Sequence, residues 1–225
     1  MTRNSIPFVL SGILLLVGVY GAWTWYRVEQ YEQQRESGGI VAPVQGPPLQ
    51  EFELTERSGQ PFRSRDMRGK VWVAMFFFST CPGSCTRLNS NIRYLNTLDE
   101  LRDVTWVSIT VDPENDTLEV LRKYADDHDA DPQRWLFCRG DLSLVARIGK
   151  DVMRVGDVYY KGHKDYAVVI DRRGKWRGAL DATSYSQSLQ LTKLLKECLA
   201  EGAEDKSSDQ SEPPDNSAKT SQDAA

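Results

Sequence analysis

The sequence predicts an α/β sandwich carried behind an N-terminal transmembrane helix. Three observations lead there. Residues 6–26 carry no charged side chain, residues 71–78 are an unbroken apolar run, and between residues 52 and 200 β-rich segments alternate with helix-periodic ones. The chain has 225 residues, 40% hydrophobic and 27% charged, which suffices for one core of ordinary size. Residues 201–225 hold seven acids, two lysines and two prolines without an apolar run, and read as a disordered acidic tail. Its net −5 turns the formal −4 of the chain into +1 for residues 1–200. No basic patch calls for nucleic acid, and four cysteines are too few for a miniprotein built on disulfides. Oligomeric state leaves no mark in the sequence.

The 21 uncharged residues 6–26 make a helix about 30 Å long, which matches the hydrocarbon thickness of a bilayer. Trp23, Trp25 and Tyr26 cluster at its far end, where amphipathic rings favour the headgroup layer, and Arg27 closes it. A cleaved secretory signal is the competing reading. The anchor is favoured because the run is longer than a usual signal core and lacks a small-residue cleavage site. Residues 1–5 form a short flank, and the flanking charges nearly balance. Residues 27–225 lie on the extracytoplasmic side if the N-terminus stays in. That compartment permits disulfides. Residues 27–49, with Gly38, Gly39 and a Pro/Gly-rich stretch at 42–48, read as a flexible spacer before a domain at 50–200.

The domain opens with a hairpin, residues 52–55 and 60–63 about a turn at Ser58-Gly59. Residues 71–78 are too continuously apolar for a half-exposed strand and suit the middle of a sheet covered on both faces. Leu88, Ile92, Leu95, Leu98 and Leu101 recur at helical spacing over 86–101, and 104–111 is a second strand. Asp116-Thr117-Leu118-Glu119 reads as a capping box opening a helix to about His128. A strand at 134–139 and a helix at 142–150 follow. Residues 166–170 and 176–180 flank a turn at 171–174, and 188–200 closes with Leu191, Leu194, Leu195, Cys198 and Leu199 as a core stripe. This order fits a sandwich of thioredoxin type.

Thr80-Cys81-Pro82-Gly83-Ser84-Cys85 falls where the central strand gives way to a helix, the place where open α/β sheets put their sites. With Cys81 near the N-cap, Pro82 takes the first helical position and the two thiols sit four residues apart on one helix face. A helix N-terminus favours thiolate, the form needed by a metal ligand or a redox nucleophile. The plain alternative is two neighbouring buried thiols. Of the two histidines, His128 sits among acids at a helix end and reads as solvated. His163, in a loop before a strand, is the better third ligand. Two thiolates and a neutral imidazole make a soft site of low coordination that suits copper, cuprous especially. Cys138 and Cys198 read as buried core thiols.

These residues resemble the Sco/SenC family, membrane-anchored thioredoxin-like copper chaperones of cytochrome c oxidase assembly. The likeness runs over roughly residues 50–198. It rests on Phe52 to Leu54 with Gly59, on Gly69-Lys70 before the strand, and on the T-C-P-x-x-C motif at Thr80 to Cys85. Val111-Asp112-Pro113-Glu114-Asn115-Asp116-Thr117 resembles a V-D-P-x-x-D-T segment, and His163 stands eleven residues before Gly174 as the family's ligand histidine stands before its hairpin glycine. The resemblance implies that Cys81, Cys85 and His163 hold a copper ion and that the partner is cytochrome c oxidase subunit II. The chain departs from the pattern at Gly83, Ser84 and Thr86, where the family commonly has Asp, Val and Pro, and at Gly162, where it has Asp.

The first functional reading is therefore a membrane-anchored metallochaperone for the dinuclear copper site of that subunit, or a protein that keeps the site's cysteines reduced. The second is a thioredoxin-like thiol–disulfide oxidoreductase using Cys81 and Cys85 without metal. It expects C-x-x-C and leaves His163 unexplained. A thiol peroxidase attacking through Cys81 and a non-catalytic interaction domain stand behind these two.

Overall fold

Seven consecutive β-branched, aromatic and other apolar residues have no face to offer water, so the strand they form sits at the centre of the sheet. The computed structural model describes residues 18–23, 25, 40–41 and 48–208. In chain order these hold β1 (Ile40–Val41), β2 (Glu53–Glu56), β3 (Pro61–Arg63), β4 (Val71–Phe77), α1 (Ser84–Asn96), β5 (Val104–Thr110) and α2 (Leu118–Asp127). There follow β6 (Trp135–Arg139), α3 (Leu142–Arg147), β7 (Tyr166–Ile170), β8 (Trp176–Asp181) and α4 (Tyr185–Ser208). Among the described residues the strands form one sheet in the order β1-β8-β7-β4-β5-β6-β2-β3. Strands β4, β5 and β6 run parallel, joined by crossovers through α1 and α2. Strands β7 and β2 pair antiparallel with β4 and β6 on either side.

The alternation along β4 divides the core in two. Val73, Met75 and Phe77 meet Leu88 and Ile92 of α1, Leu121 of α2 and Leu191 and Leu195 of α4. Trp72, Ala74 and Phe76 meet Phe62, Met67, Val145, Ile148 and Trp176 on the opposite face. With both faces covered, the sandwich is the thioredoxin-like one expected from the sequence. The hairpin turn before β8 is held by Asp171, whose Oδ1 accepts from the N–H groups of Arg173 at 3.0 Å and Lys175 at 2.9 Å, while Gly174 takes φ of 72°.

Several boundaries differ from expectation. The helix expected over 86–101 ends at Asn96, because Leu98 turns extended and 99–101 re-forms as a single 3-10 turn. The helix expected over 142–150 passes at Ile148 into a π-helical turn, Ile148–Val152. The last helix runs past Ala200 to Ser208. Glu201 is clamped there by Arg177, whose Nη1 and Nη2 donate to Oε2 at 2.7 Å and Oε1 at 2.8 Å. Part of the expected flexible spacer is paired: Ile40 and Val41 lie opposite Ala179 and Gly178, and Leu49 N–H donates to Gly174 O at 2.9 Å. This covers what would otherwise be an open sheet edge at β8. The expected transmembrane helix falls mostly outside the described residues. Residues 18–23 and 25 are helical, and among the described residues no helix is long and apolar enough to cross a membrane. Residues 209–225 of the acidic tail also lie outside them.

Close approach of the π-turn to the loop after it depends on Gly149, where an added Cβ would stand 2.3 Å from Val158 Cγ2 and 3.0 Å from Val158 Cβ. Gly149→Ala is expected to cost about 1–3 kcal/mol through overpacking, read as a lower denaturant midpoint with an unchanged slope.

Candidate metal centre

Strand β4 delivers the cysteine loop. After Phe77 the chain turns at once, with Cys81 N–H donating to Phe78 O at 3.2 Å, and α1 begins at Ser84 with Gly83 at its N-cap. The expected helical start at Cys81 and Pro82 is thus displaced. Cys81 lies on the loop outside the helix, because a residue before proline is pushed away from the helical region and the turn to Phe78 takes its N–H. Cys85 lies in the first turn and heads the buried stripe Cys85, Leu88, Ile92 and Leu95 of α1. One thiol is therefore half-buried on a loop and the other is fixed in the core.

A short turned loop delivers His163 to the same place. Tyr159 and Gly162 exchange backbone hydrogen bonds of 2.9 and 2.8 Å, with Lys161 between them at φ of 52°. His163 Nε2 lies 3.6 Å from Cys85 Sγ, and Phe78 meets the imidazole edge-on with ring centroids 6.1 Å apart. His163 Nδ1 lies 3.2 Å from Lys164 O. A carbonyl only accepts, so this contact puts a proton on Nδ1, and in the neutral ring Nε2 then turns its lone pair to the sulfur, the state in which imidazole binds metals.

The thiols are electrostatically unequal. Burial raises Cys81, but hydrogen bonds from the Cys85 thiol, from the N–H groups of Gly83 and Cys85 and from Ser84 outweigh it and hold Cys81 below the ordinary thiol range. Burial pushes Cys85 up to about 12, helped by its bond to Cys81 and by the nearby charges of Cys81 and Asp165. The single S–H of Cys85 thus faces two acceptors, the Cys81 sulfur and His163 Nε2. Cys85 touches both other expected ligands. Among the described residues no three His, Cys, Asp or Glu side chains are gathered closely enough to hold a metal ion as they stand. Closing three ligands on an ion asks the Cys81 loop to move, and its neighbours Pro82 and Gly83 are exposed.

Both loops are braced by one turn, residues 111–117, through carboxylates that the sequence reading did not single out for this work. Asp116, expected as an N-cap, is fully buried and accepts from Ser79 N–H, from the Ser79 hydroxyl and from the Thr110 hydroxyl, so the cap of α2 falls to Thr117, whose hydroxyl accepts from Val120 N–H at 3.3 Å. Asp112, also fully buried, pairs with Lys161 Nζ at 3.2 Å, and Lys161 N–H donates to Val111 O at 3.3 Å. The D-P-E-N-D-T run marks these positions in the sequence, but a capping box was the local reading with the clearest precedent. His128 lies outside the site, at the C-cap of α2 with Nδ1 2.8 Å from Tyr124 O. Cys138 and Cys198 are core thiols, both raised by burial.

The SCO1/SenC family model matches residues 45–198. Among curated proteins the mitochondrial SCO2 homolog of Mus musculus is 32% identical over 167 residues, covering 68% of this chain and 61% of the relative. The chain thus spans about three fifths of that relative's length. A SCO1/SenC family lipoprotein from Bacillus anthracis superposes with a TM-score of 0.63 at 26% identity, over 71% of this chain and 99% of that one. The copper-bound ScoI of Bradyrhizobium japonicum shares the fold at a TM-score of 0.52 and 21% identity, over 68% and 99% of the two chains.

Two outcomes follow from the geometry. Iodoacetamide at pH 8 is expected to modify Cys81 well before Cys85, Cys138 and Cys198, because only Cys81 is both accessible and held below the ordinary thiol range, while burial raises the other three; peptide mass mapping over time reads the order. Equal rates for Cys81 and Cys85 would contradict the asymmetry. Asp116→Ala strips the acceptor from three donors and is expected to cost about 3 kcal/mol, while Asp116→Asn keeps an acceptor oxygen and costs less, both read by urea unfolding.

Proposed function

The chain belongs to the SCO1/SenC family, and we propose that it is a membrane-anchored copper metallochaperone whose cargo is held by Cys81, Cys85 and His163. The observation that carries this reading is His163 Nε2 standing 3.6 Å from Cys85 Sγ, with its lone pair turned to the sulfur. A soft donor set of two sulfurs and one neutral imidazole fits a cuprous ion and leaves room for transfer, since it lacks the fourth protein ligand that closes a structural zinc site. Placement of Cys81 on a loop and Cys85 in the core suits uptake and release, with one ligand able to leave while the other two keep their geometry. The family's tie to cytochrome c oxidase assembly supports an oxidase partner, and subunit II, with its dinuclear copper site, is the acceptor proposed. The uncharged residues 6–26 would hold the domain on the extracytoplasmic face of the same membrane and raise its effective concentration there.

A second reading, a thiol–disulfide oxidoreductase, has its own support in the unequal thiols: Cys81 is a natural nucleophile and Cys85 a protonated, buried resolving thiol. The two readings also combine. Ligation needs thiolates, so a Cys81–Cys85 disulfide competes with copper.

Copper stoichiometry of the full chain, purified under reducing conditions, tests the first reading. Wild type is expected to hold one ion, and Cys81→Ser, Cys85→Ser and His163→Ala are expected to lose tight binding. Full retention of copper by His163→Ala, with thiol-dependent reductase activity intact, would transfer the function to the oxidoreductase.

A further inference from the structure

Asp165 stands at the entry to β7, two residues after His163, with its backbone carbonyl accepting from Ala182 N–H at 3.2 Å. Its Oδ1 is buried and has no hydrogen-bond partner, yet it lies 3.8 Å from His163 Nδ1. His163 is itself enclosed, its side chain 3% exposed. At present Nδ1–H points to Lys164 O at 3.2 Å, the long end of a sound hydrogen bond. We propose that Asp165 is the positioning residue for His163: once an ion is held, Nδ1–H turns from Lys164 O to Asp165 Oδ1, and the carboxylate fixes the ring with Nε2 toward Cys85 and the metal. This rests on the copper reading of the site.

Three arguments converge on that exchange. A carboxylate accepts a stronger, charge-assisted bond than a carbonyl, and the imidazole proton becomes a better donor once Nε2 is bound to a cation. The exchange supplies a partner to a buried oxygen that lacks one, while Lys164 is exposed, so water takes over its carbonyl. The residue preceding His163 supplies no carboxylate to the ring: it is Gly162, and the ring of Tyr159 lies where its side chain would begin, 2.0 Å from Cε2 to an added Cβ. In this chain the acidic partner comes from the strand side.

The charge of Asp165 also bears on which ion is held. Two thiolates leave a cuprous centre with one net negative charge and a cupric centre with none. A further carboxylate beside the ligand ring favours the more highly charged ion, so Asp165 shifts relative affinity toward Cu(II).

The experiment measures Cu(I) and Cu(II) affinities separately, by chelator competition, on the full chain in detergent, for wild type, Asp165→Asn and Asp165→Glu. Asp165→Asn is expected to weaken Cu(II) about tenfold to a hundredfold and Cu(I) much less, to alter the Cu(II) paramagnetic resonance spectrum, and to regain part of the Cu(II) affinity as Asp165→Glu. A second measurement needs no variant. In Cu(I)-loaded wild type the His163 Nδ1–H proton is expected far downfield and slow to exchange, as for a carboxylate hydrogen bond; a fast-exchanging or carbonyl-like resonance overturns the proposal even if the variants fail to fold. Unchanged Cu(II) and Cu(I) affinities in Asp165→Asn, with binding still dependent on His163, overturn the role of Asp165 and leave the copper reading standing. Absence of copper binding by the wild type overturns both.

Discussion

The turn of residues 111–117 is the constraint on which the site depends, because it holds two loops that have no direct backbone pairing to each other. Asp116 gathers the loop that follows β4, and Asp112 gathers the loop that bears His163. Both carboxylates are fully buried, where a charge is tolerated only when it is paired or well hydrogen-bonded, and each meets that condition by binding a different arm of the site. The turn is itself fixed. Asp116 N–H donates to Asp112 O at 2.9 Å, and Asn115 Nδ2 donates to Asp112 Oδ1 at 2.9 Å. The placement of the loop after β4 and of the loop that bears His163 is therefore tied to β5, which ends one residue before the turn begins.

Cys85 joins this arrangement to the core. It occupies the first position of the buried stripe of α1, so its sulfur is placed by the same packing that seats Leu88, Ile92 and Leu95 on the sheet. Cys81 has no such support and is held by hydrogen bonds to its sulfur and by one backbone turn. The difference in burial becomes a difference in acidity. That division, one thiol rigid and protonated and the other accessible and acidic, serves metal transfer and thiol chemistry alike, which is why His163 decides between them in the proposed function.

Two of the departures from the family pattern, Gly83 and Gly162, sit in a recognisable local setting. Gly83 serves as an N-cap at φ −145° and ψ −94°, and lets the chain enter α1 directly after Pro82. At Gly162 the ring of Tyr159 lies where a side chain would begin, so a larger residue there asks that exposed ring to move. The nearest acid on the same loop is Asp165, which lies on the other side of the histidine in sequence and meets its ring in space.

By itself the sequence determined the architecture and the chemistry-bearing residues. An unbroken apolar run can only be a covered central strand, alternation and helical spacing placed the elements around it, and two cysteines after that strand with one histidine in a loop before a later strand pointed to Cys81, Cys85 and His163 as candidate ligands. The signals for the elements and for the cysteine pair are local, since each depends on residues within a few positions of one another, whereas His163, 78 residues from Cys85, was singled out by its residue type. Only the tertiary structure decided that Cys81 stands outside the helix, that Asp116 braces Ser79 instead of capping α2, that Arg177 carries α4 past Ala200, and that Asp165 faces His163. For Asp116 and Arg177 the choice lies between a local partner and a distant one. A buried carboxylate takes the partners that satisfy the most donors, and those partners are brought within reach only when the chain is folded.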